Sequence, residues 1–526
     1  MDQKPLRQPL GFQNPLGLQK PSPVKAGSTA PPGRARRGGQ AVQARLQPVP
    51  LIVFFVVVAA LAVWQTLALN AIWLWLRSGG WFYAALTVIA VAAIWIAYRN
   101  IMRKAHRPRL GAVSGVVVLA CVVSFAGMAA RQSYQAQHGM YLASVTVEAD
   151  AQLGDYDQRP PFTVAENQTQ SHVDINGTLG ETTYIPDQQH FGTLVANKGI
   201  FNGYGEIIWQ AVTDSGQSTA ANCQFSTSAA RRFDGPFWSN LQRAIIRRAG
   251  PELIDQSDAY GVCTAQGAEI IVPLKTYRGA IFTYQVPDGI AVVDKDWNTT
   301  IVRDVPAGQY PGPVYPMSLA VKQRDATAAL GTWWDHVQDR VGYQPTSDNS
   351  EANVSEFNLQ RTDGSGDDFV TPLTLVGQSQ SINAVGVVAS NVNQAGQLNP
   401  YQVLTLSPPR QANSAMDSRL RADYGYLQGW AAGMSVYEIV PTGPDTWRAT
   451  IGQPKAIMYY AEINADGTSC LYSVADQSKI GCSGEQSQGS PTTPGGIDLT
   501  GMTDEQLVQL IQQAATQLQQ NQQEGR

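Results

Sequence analysis

Histidine is scarce, with five in 526 residues. The four beyond residue 130, His138, His172, His190 and His336, form neither an HxH pair nor an HExxH motif, which removes the usual zinc and metalloprotease signatures. The chain also lacks a G-x-S-x-G elbow, a G-x-x-x-x-G-K-[ST] loop and a G-x-G-x-x-G fingerprint. Hydrolase, nucleotide-triphosphatase and dinucleotide-enzyme readings therefore lose their ordinary marks.

Cysteine is scarce too, and none of the five falls in a Cys-x-x-Cys spacing, which argues against zinc. Cys121 lies in an apolar stretch, while Cys223, Cys263, Cys470 and Cys482 fall in the acidic remainder. An even number there points to two disulfides in an oxidising compartment. Four cysteines allow three connectivities. Cys223–Cys263 and Cys470–Cys482 are preferred because each pair sits within one stretch of related elements, and Cys121 is expected to be free.

Charge is missing from three stretches. Leu51–Leu76 has only Gln65, Thr66 and Asn70 as marked polar residues, Trp81–Tyr98 only Thr87, and Leu110–Ala130 only Ser114 and Ser124. Each is long enough to cross a hydrocarbon core of ~30 Å at a rise of ~1.5 Å per residue. Trp73, Trp75, Trp81, Phe82, Tyr83 and Tyr98 cluster near their ends, as aromatic belts do. Three transmembrane helices are expected, over 51–76, 81–98 and 110–130. Gly111 and Gly115 open the third as a GxxxG pair.

The charge that is present is unevenly placed. Residues 1–50 hold eight Lys/Arg and one Asp, and six more cations follow by residue 109. Removing these 14 bases and one acid from the totals of 37 and 41 leaves 23 against 40, or about −17 for residues 110–526. Arg99, Arg103, Lys104, Arg107 and Arg109 form a dense loop between the second and third apolar stretches. Positive segments stay on the cytoplasmic side, so these five are the expected topology-determining residues. The expected address is a multi-pass plasma-membrane protein with its N-terminus cytoplasmic and everything after residue 130 extracytoplasmic. The acidic balance argues against nucleic acid as a partner.

Residues 1–50 are Pro-rich and basic and read as a disordered tail. Within it "PLGFQN" is followed at once by "PLGLQK". Leu10, Phe12, Leu16 and Leu18 are apolar hooks in that repeat, suited to docking a cytosolic partner. Residues 131–312 and 313–482 read as two extracytoplasmic α+β modules, 483–502 as a linker and 503–522 as an amphipathic helix. Strands are expected in "SVTVEAD", "SHVDING", "TTYIP", "GTLVAN", "EIIWQAVT", "AEIIVPLKTY", "AIFTYQV", "GIAVVD", "DFVTPLTL", "INAVGVVAS" and "YQVLTLS". Helices are expected over 234–251, with Phe237, Leu241, Ala244 and Ile245 on one stripe, over 319–343, and over 414–432. Asp288-Gly289 reads as a turn, and "AIMYYAEI-NADG-TSCLYSV" as a closing hairpin. The fold class is a membrane protein with helices laid on curled antiparallel sheets. In order of elements this is similar to the cystatin-like and NTF2-like domains of bacterial secretion components.

Candidate chemistry is sparse. Asp363, Ser365 and Asp367 alternate like the start of a calcium loop, but Asp368 stands where that loop needs Gly and Thr374 where it needs Glu. Asp294 and Asp296 read as a turn, and Ser318 and Lys322 miss the S-x-x-K spacing. His336 beside Asp335 reads as a packing residue. No catalytic, cofactor-binding or metal residue is assigned, and no cofactor is expected. The expected function is a non-enzymatic, membrane-anchored binding or scaffold protein of a bacterial envelope assembly of secretion or transfer type. Its expected partners are the lipid bilayer, envelope proteins and further copies of itself. The alternatives are a ligand-binding membrane sensor and an envelope hydrolase with dispersed catalytic residues.

Overall fold

A computed structural model describes residues 53, 55–57, 66–102, 108–134, 139–149, 152–173, 177–212, 218–279, 282–331, 338, 342–346, 356–378 and 380–483. The tail hooks Leu10, Phe12, Leu16 and Leu18, the loop cations Arg103, Lys104 and Arg107, the linker after Ser483 and the C-terminal amphipathic stretch lie outside these residues. The chain divides into 1–59 and 60–526. In the first part the described residues, 53 and 55–57, are helical.

The second part opens with three apolar helices, α1 (Thr66–Trp75), α2 (Trp81–Met102) and α3 (Pro108–Tyr134). The "RSGG" turn between α1 and α2 is a sharp bend. Gly79 has φ of 92°, a left-handed value that glycine adopts without penalty. A side chain on Gly80 would meet the Trp75 carbonyl at 2.4 Å, so the kink requires glycine there. α2 and α3 pack along each other, with Tyr83 edge-on to Phe125 at 4.8 Å between ring centroids. Arg99 lies over the Trp95 ring near the end of α2, and Arg109 falls in the first turn of α3. Gly115 has nothing within 4 Å of where a Cβ would stand, so it brings no second helix close.

Val88, Val91, Val116 and Val123 are 67, 59, 66 and 63 % exposed. A core helix of a soluble domain would bury such side chains. Their exposure fits a surface turned toward lipid instead. By length and composition two helices, Leu67–Arg99 across the bend and Ala112–Ala130, are sufficient to cross a membrane. Of the expected first span, 51–76, the described portion is 53, 55–57 and 66–76.

The remainder is α+β, built on four open sheets. One turn of helix, Met140–Leu142, leads into β1 (Val145–Glu148), and α4 covers Phe162–Thr169. The first sheet is a meander of β2 (Gly177–Ile185), β3 (His190–Asn197), β4 (Tyr204–Val212) and β5 (Ser218–Gln224). Helix α5 (Leu241–Ala249) precedes the second sheet, made of β6 (Leu253–Ile254), β7 (Tyr260–Thr264), β8 (Gly267–Arg278), β9 (Tyr284–Val293) and β10 (Thr299–Val302). After α6 (Met317–Ala326) come β11 (Tyr343–Pro345), β12 (Phe357–Gln360), β13 (Asp367–Leu375), β14 (Ser381–Ala389) and β15 (Tyr401–Gln411). Strand β1 joins this third sheet, parallel to β15. Helix α7 (Asn413–Asp423) leads to a second meander, β16 (Ser435–Pro441), β17 (Thr446–Gln453), β18 (Ala456–Asn464), β19 (Ser469–Ser473) and β20 (Lys479–Cys482).

The first two sheets meet at bare backbone. A Cβ on Gly192 in β3 would lie 2.1 Å from the Gly261 carbonyl in β7, and one on Gly261 would strike Ile207 and Leu194 at 2.9 Å. The Cys223–Cys263 disulfide staples β5 to β7 beside this contact, with Cα atoms 5.9 Å apart. Leu194, Ile207, Ile245, Ile270 and Val272 fill the shared core. Cys470 and Cys482 are directly paired on β19 and β20 and form the second disulfide, while Cys121 is free. Met416 and Leu420 of α7, with Tyr424 just after it, pack onto the last meander among Trp447, Ile451 and Leu471.

Several element boundaries differ from the sequence reading. The helix expected over 234–251 begins only at Leu241, where Asn240 caps it by accepting from the Arg243 N–H at 2.7 Å. Phe237 therefore lies outside the buried stripe and is 47 % exposed. Of the helix expected over 319–343, Met317–Ala326 is helical and Tyr343 belongs to a strand, while 332–337 and 339–341 lie outside the described residues. A 3-10 turn at Thr327–Ala329 tightens the chain, and Gly331, with φ of 125°, turns it away. Of the segment "SHVDING", expected as a strand, 171–173 form the turn after α4 and Gly177 opens β2, while 174–176 lie outside the described residues. Asp288-Gly289 sits inside β9, opposite an irregularity in the pairing with β8, and not at a hairpin tip. The helix expected over 414–432 stops at Asp423.

Candidate functional site

A cleft of about 290 Å³ opens where the first three sheets and α4 converge. Phe162 and Glu166 come from α4, Glu181 and Tyr184 from β2, Tyr260 from β7, Glu356 and Asn358 from the start of β12, and Phe369 from β13. Asp258 and Tyr315, from the segments that lead into β7 and α6, and Met317, the first residue of α6, add to the lining. Aromatic faces form much of the wall, and carboxylates supply the charge.

Glu166 and Glu181 stand exposed at the mouth. Partial desolvation raises both above the ordinary carboxylate range, and Glu181 is raised further by Asp258, Asp255 and Glu166. Glu356 is buried in the wall, and burial pushes it up to about 7 despite Arg324, whose guanidinium donates to it at 2.6 Å. Thr371 donates to its other oxygen. The three acids that raise Glu181 make a site of negative potential, where a cationic group would favour the ionised form.

Beneath the cleft lies a polar knot. Lys275 on β8 ion-pairs with Asp258 at 2.9 Å and Asp255 at 3.4 Å, and also donates to Ser318. The Ser318 hydroxyl donates to Asp258 at 2.5 Å, and its N–H donates to the other Asp258 oxygen at 2.8 Å. Asp258 thus caps α6 and ties it to the second sheet. Ser318 is thus fixed between Lys275 and Asp258. Lys322 lies one turn along α6, hydrogen-bonded to Gln285, and burial lowers its pKa to about 8.

Other residues singled out from the sequence are dispersed. His190 stacks on Trp209 with ring centroids 5.0 Å apart, and His172 lies in the turn after α4. His138 and His336 fall outside the described residues. Asp294 closes its own turn by accepting from the N–H groups of Asp296 and Asn298. Asp363 likewise accepts from the Ser365 N–H at 2.8 Å. Asp367 and Asp368 are already in β13, and Asp368 binds Arg361 at 2.5 Å and accepts from Tyr156 at 3.0 Å. Asp367 is raised to about 7 by burial, Asp187 and Asp368. Among the described residues, no group of three or more His, Cys, Asp or Glu is placed to hold a metal.

A second polar contact ties the apolar helices to this body. α1 rests on α5, the Asn70 amide donates to the Glu252 carbonyl at 3.0 Å, and Arg77 in the bend donates to the Tyr277 carbonyl at 3.0 Å. No family model, no curated protein and no solved structure matches this chain.

Proposed function

We infer that this chain is a membrane-anchored extracytoplasmic binding protein, acting without catalysis in a bacterial envelope assembly. One observation carries the reading. The α1–α2 bend is hydrogen-bonded to the disulfide-bearing body through Arg77 and Tyr277, so bend and body share one side of any membrane that α2 and α3 cross. The dense basic segment at the opposite ends of α2 and α3 then falls on the other side, which the positive-inside rule makes cytoplasmic. Oxidised cysteines agree with an extracytoplasmic body.

In this reading the aromatic, carboxylate-lined cleft receives a basic side chain of a partner protein. The tail repeat, Leu10, Phe12, Leu16 and Leu18, contacts a separate partner on the cytoplasmic side. Affinity capture of the full chain from detergent-solubilised membranes tests the assembly. A stoichiometric envelope partner whose recovery falls when Glu166 and Glu181 are both changed to Gln supports the reading. Recovery of the chain alone from every detergent contradicts it.

A further inference from the structure

We propose that the surface formed by the β3–β4 loop and the turn before α5 docks onto the anionic outer surface of the bilayer, holding the extracytoplasmic body against the membrane. The inference rests on the membrane-anchored reading above. Beyond residue 150, the described large apolar residues standing exposed are Ile200, Phe201, Phe237, Trp238, Tyr426 and Ile480. The first four lie in just these two loops. Phe201 stacks on Trp238 with centroids 5.9 Å apart and planes 9° from parallel, and Phe237 stacks on the same ring at 5.9 Å. Trp238 is 72 % exposed and Ile200 71 %. Isolated exposed apolar residues are ordinary, but a joined aromatic cluster is a contact surface.

The loop is held rigid. Phe237 has φ of 44°, an uncommon value for a bulky residue that persists only where surroundings enforce it. Here Asn240 donates to the carbonyls of Phe233 and Gly235 at 2.8 and 3.0 Å, and Ser239 donates to Pro236. The rings are thus presented and not folded inward.

Continuity with the apolar helices identifies the occupant. Trp238 stands three residues before the start of α5, whose far end carries Ile246 and, just beyond it, Pro251, against Leu69, Ile72 and Trp73 of α1. A helix of nine residues is ~14 Å long, so the cluster sits a short helix away from an apolar segment of the anchor. Charge agrees. Residues 196–250 carry Lys198, Arg231, Arg232, Arg243, Arg247 and Arg248 against Glu206, Asp214 and Asp234. That is a local excess of positive charge in a region whose balance is otherwise acidic. Aromatic rings flanked by arginine suit the headgroup layer of an anionic membrane.

The test reconstitutes the full chain, in a Cys121→Ala background, into vesicles of phosphatidylcholine with or without phosphatidylglycerol. One fluorophore is attached through Ile200→Cys, and a reference fluorophore through Val88→Cys on α2. Lipid-borne doxyl quenchers should quench both, while aqueous iodide should reach neither. Phosphatidylglycerol should increase the docked fraction at position 200. Arg247→Gln and Arg248→Gln should each lower the ratio of docked to undocked label about fivefold, and Trp238→Ser should free the label to iodide. Iodide access at 200 with lipid quenching at 88 overturns this proposal alone. Shielding of 200 from both quenchers means that protein covers the patch, and also overturns it. Iodide access at both positions removes the membrane-anchored reading itself.

Discussion

The side-chain amide of Asn70 donates to the backbone carbonyl of Glu252 at 3.0 Å, across 182 positions of sequence. Asn70 is 5 % exposed and Glu252 3 %. An asparagine in an otherwise apolar stretch is thereby explained as a fastening point. Asn70→Leu should leave the sheets intact but release α1 from α5. The lost bond is worth about 1 kcal/mol, which predicts roughly fivefold faster amide exchange over 246–254 with little change in the fourth sheet. Unchanged exchange there would show that the contact holds nothing.

Asp367 supplies a pH prediction. Its folded pKa, about 7, lies above its ordinary value of 3.8 because of burial and the carboxylates of Asp187 and Asp368. A raised acid contributes stability that is full below its unfolded pKa and is lost as pH rises through the folded value. Stability should therefore fall between about pH 4 and pH 7 on its account. Asp367→Asn should stabilise the chain at pH 8 by on the order of 2–4 kcal/mol and have little effect near pH 4. Thermal unfolding at both values checks it, and equal shifts at the two would contradict it.

The knot around Lys275 predicts an asymmetry. Lys275→Met strands the buried carboxylate of Asp258 and should cost about 3–5 kcal/mol. Ser318→Ala removes the two hydrogen bonds of its hydroxyl but leaves the Lys275–Asp258 ion pair, and should cost only about 1–2 kcal/mol. A fluorophosphonate probe should leave Ser318 unmodified. Labelling at Ser318 would revive the hydrolase alternative.

The disulfides should differ in weight. Cys223–Cys263 closes a separation of 40 residues and Cys470–Cys482 one of 12. Chain entropy predicts losses of about 4 and about 3 kcal/mol when each pair is replaced by serine. The first also joins two sheets, so its removal should loosen the β3–β7 contact at Gly192 and Gly261. The order of the two losses, read from denaturant midpoints, is the check.

Alternation made the central strands legible. "INAVGVVAS" and "YQVLTLS" became β14 and β15 nearly as spaced, and the "NADG" hairpin turns with Gly467 at φ of 79°. Helix ends were less legible, because local apolar spacing continued past Ala326 while the 3-10 turn at Thr327–Ala329 ended that helix. Phe162–Thr169 was missed outright, since "PPFTVAENQT" offers no strong stripe to read. The cleft was invisible in the sequence because Glu166, Glu181, Asp258 and Glu356 are brought together only by the sheets. Ser318 shows the same limit. Its near neighbour in sequence is Lys322, but its partners are Asp258 and Lys275, 60 and 43 positions away.

The shared sidedness of the α1–α2 bend and the sheet-bearing body is the central claim, and reporter fusions test it most directly. A fusion at Ser78 and one after Asp150 should both behave as exported, while one within residues 103–107 should behave as cytoplasmic. A cytoplasmic reporter after Asp150, or opposite sides for Ser78 and Asp150, would contradict the account.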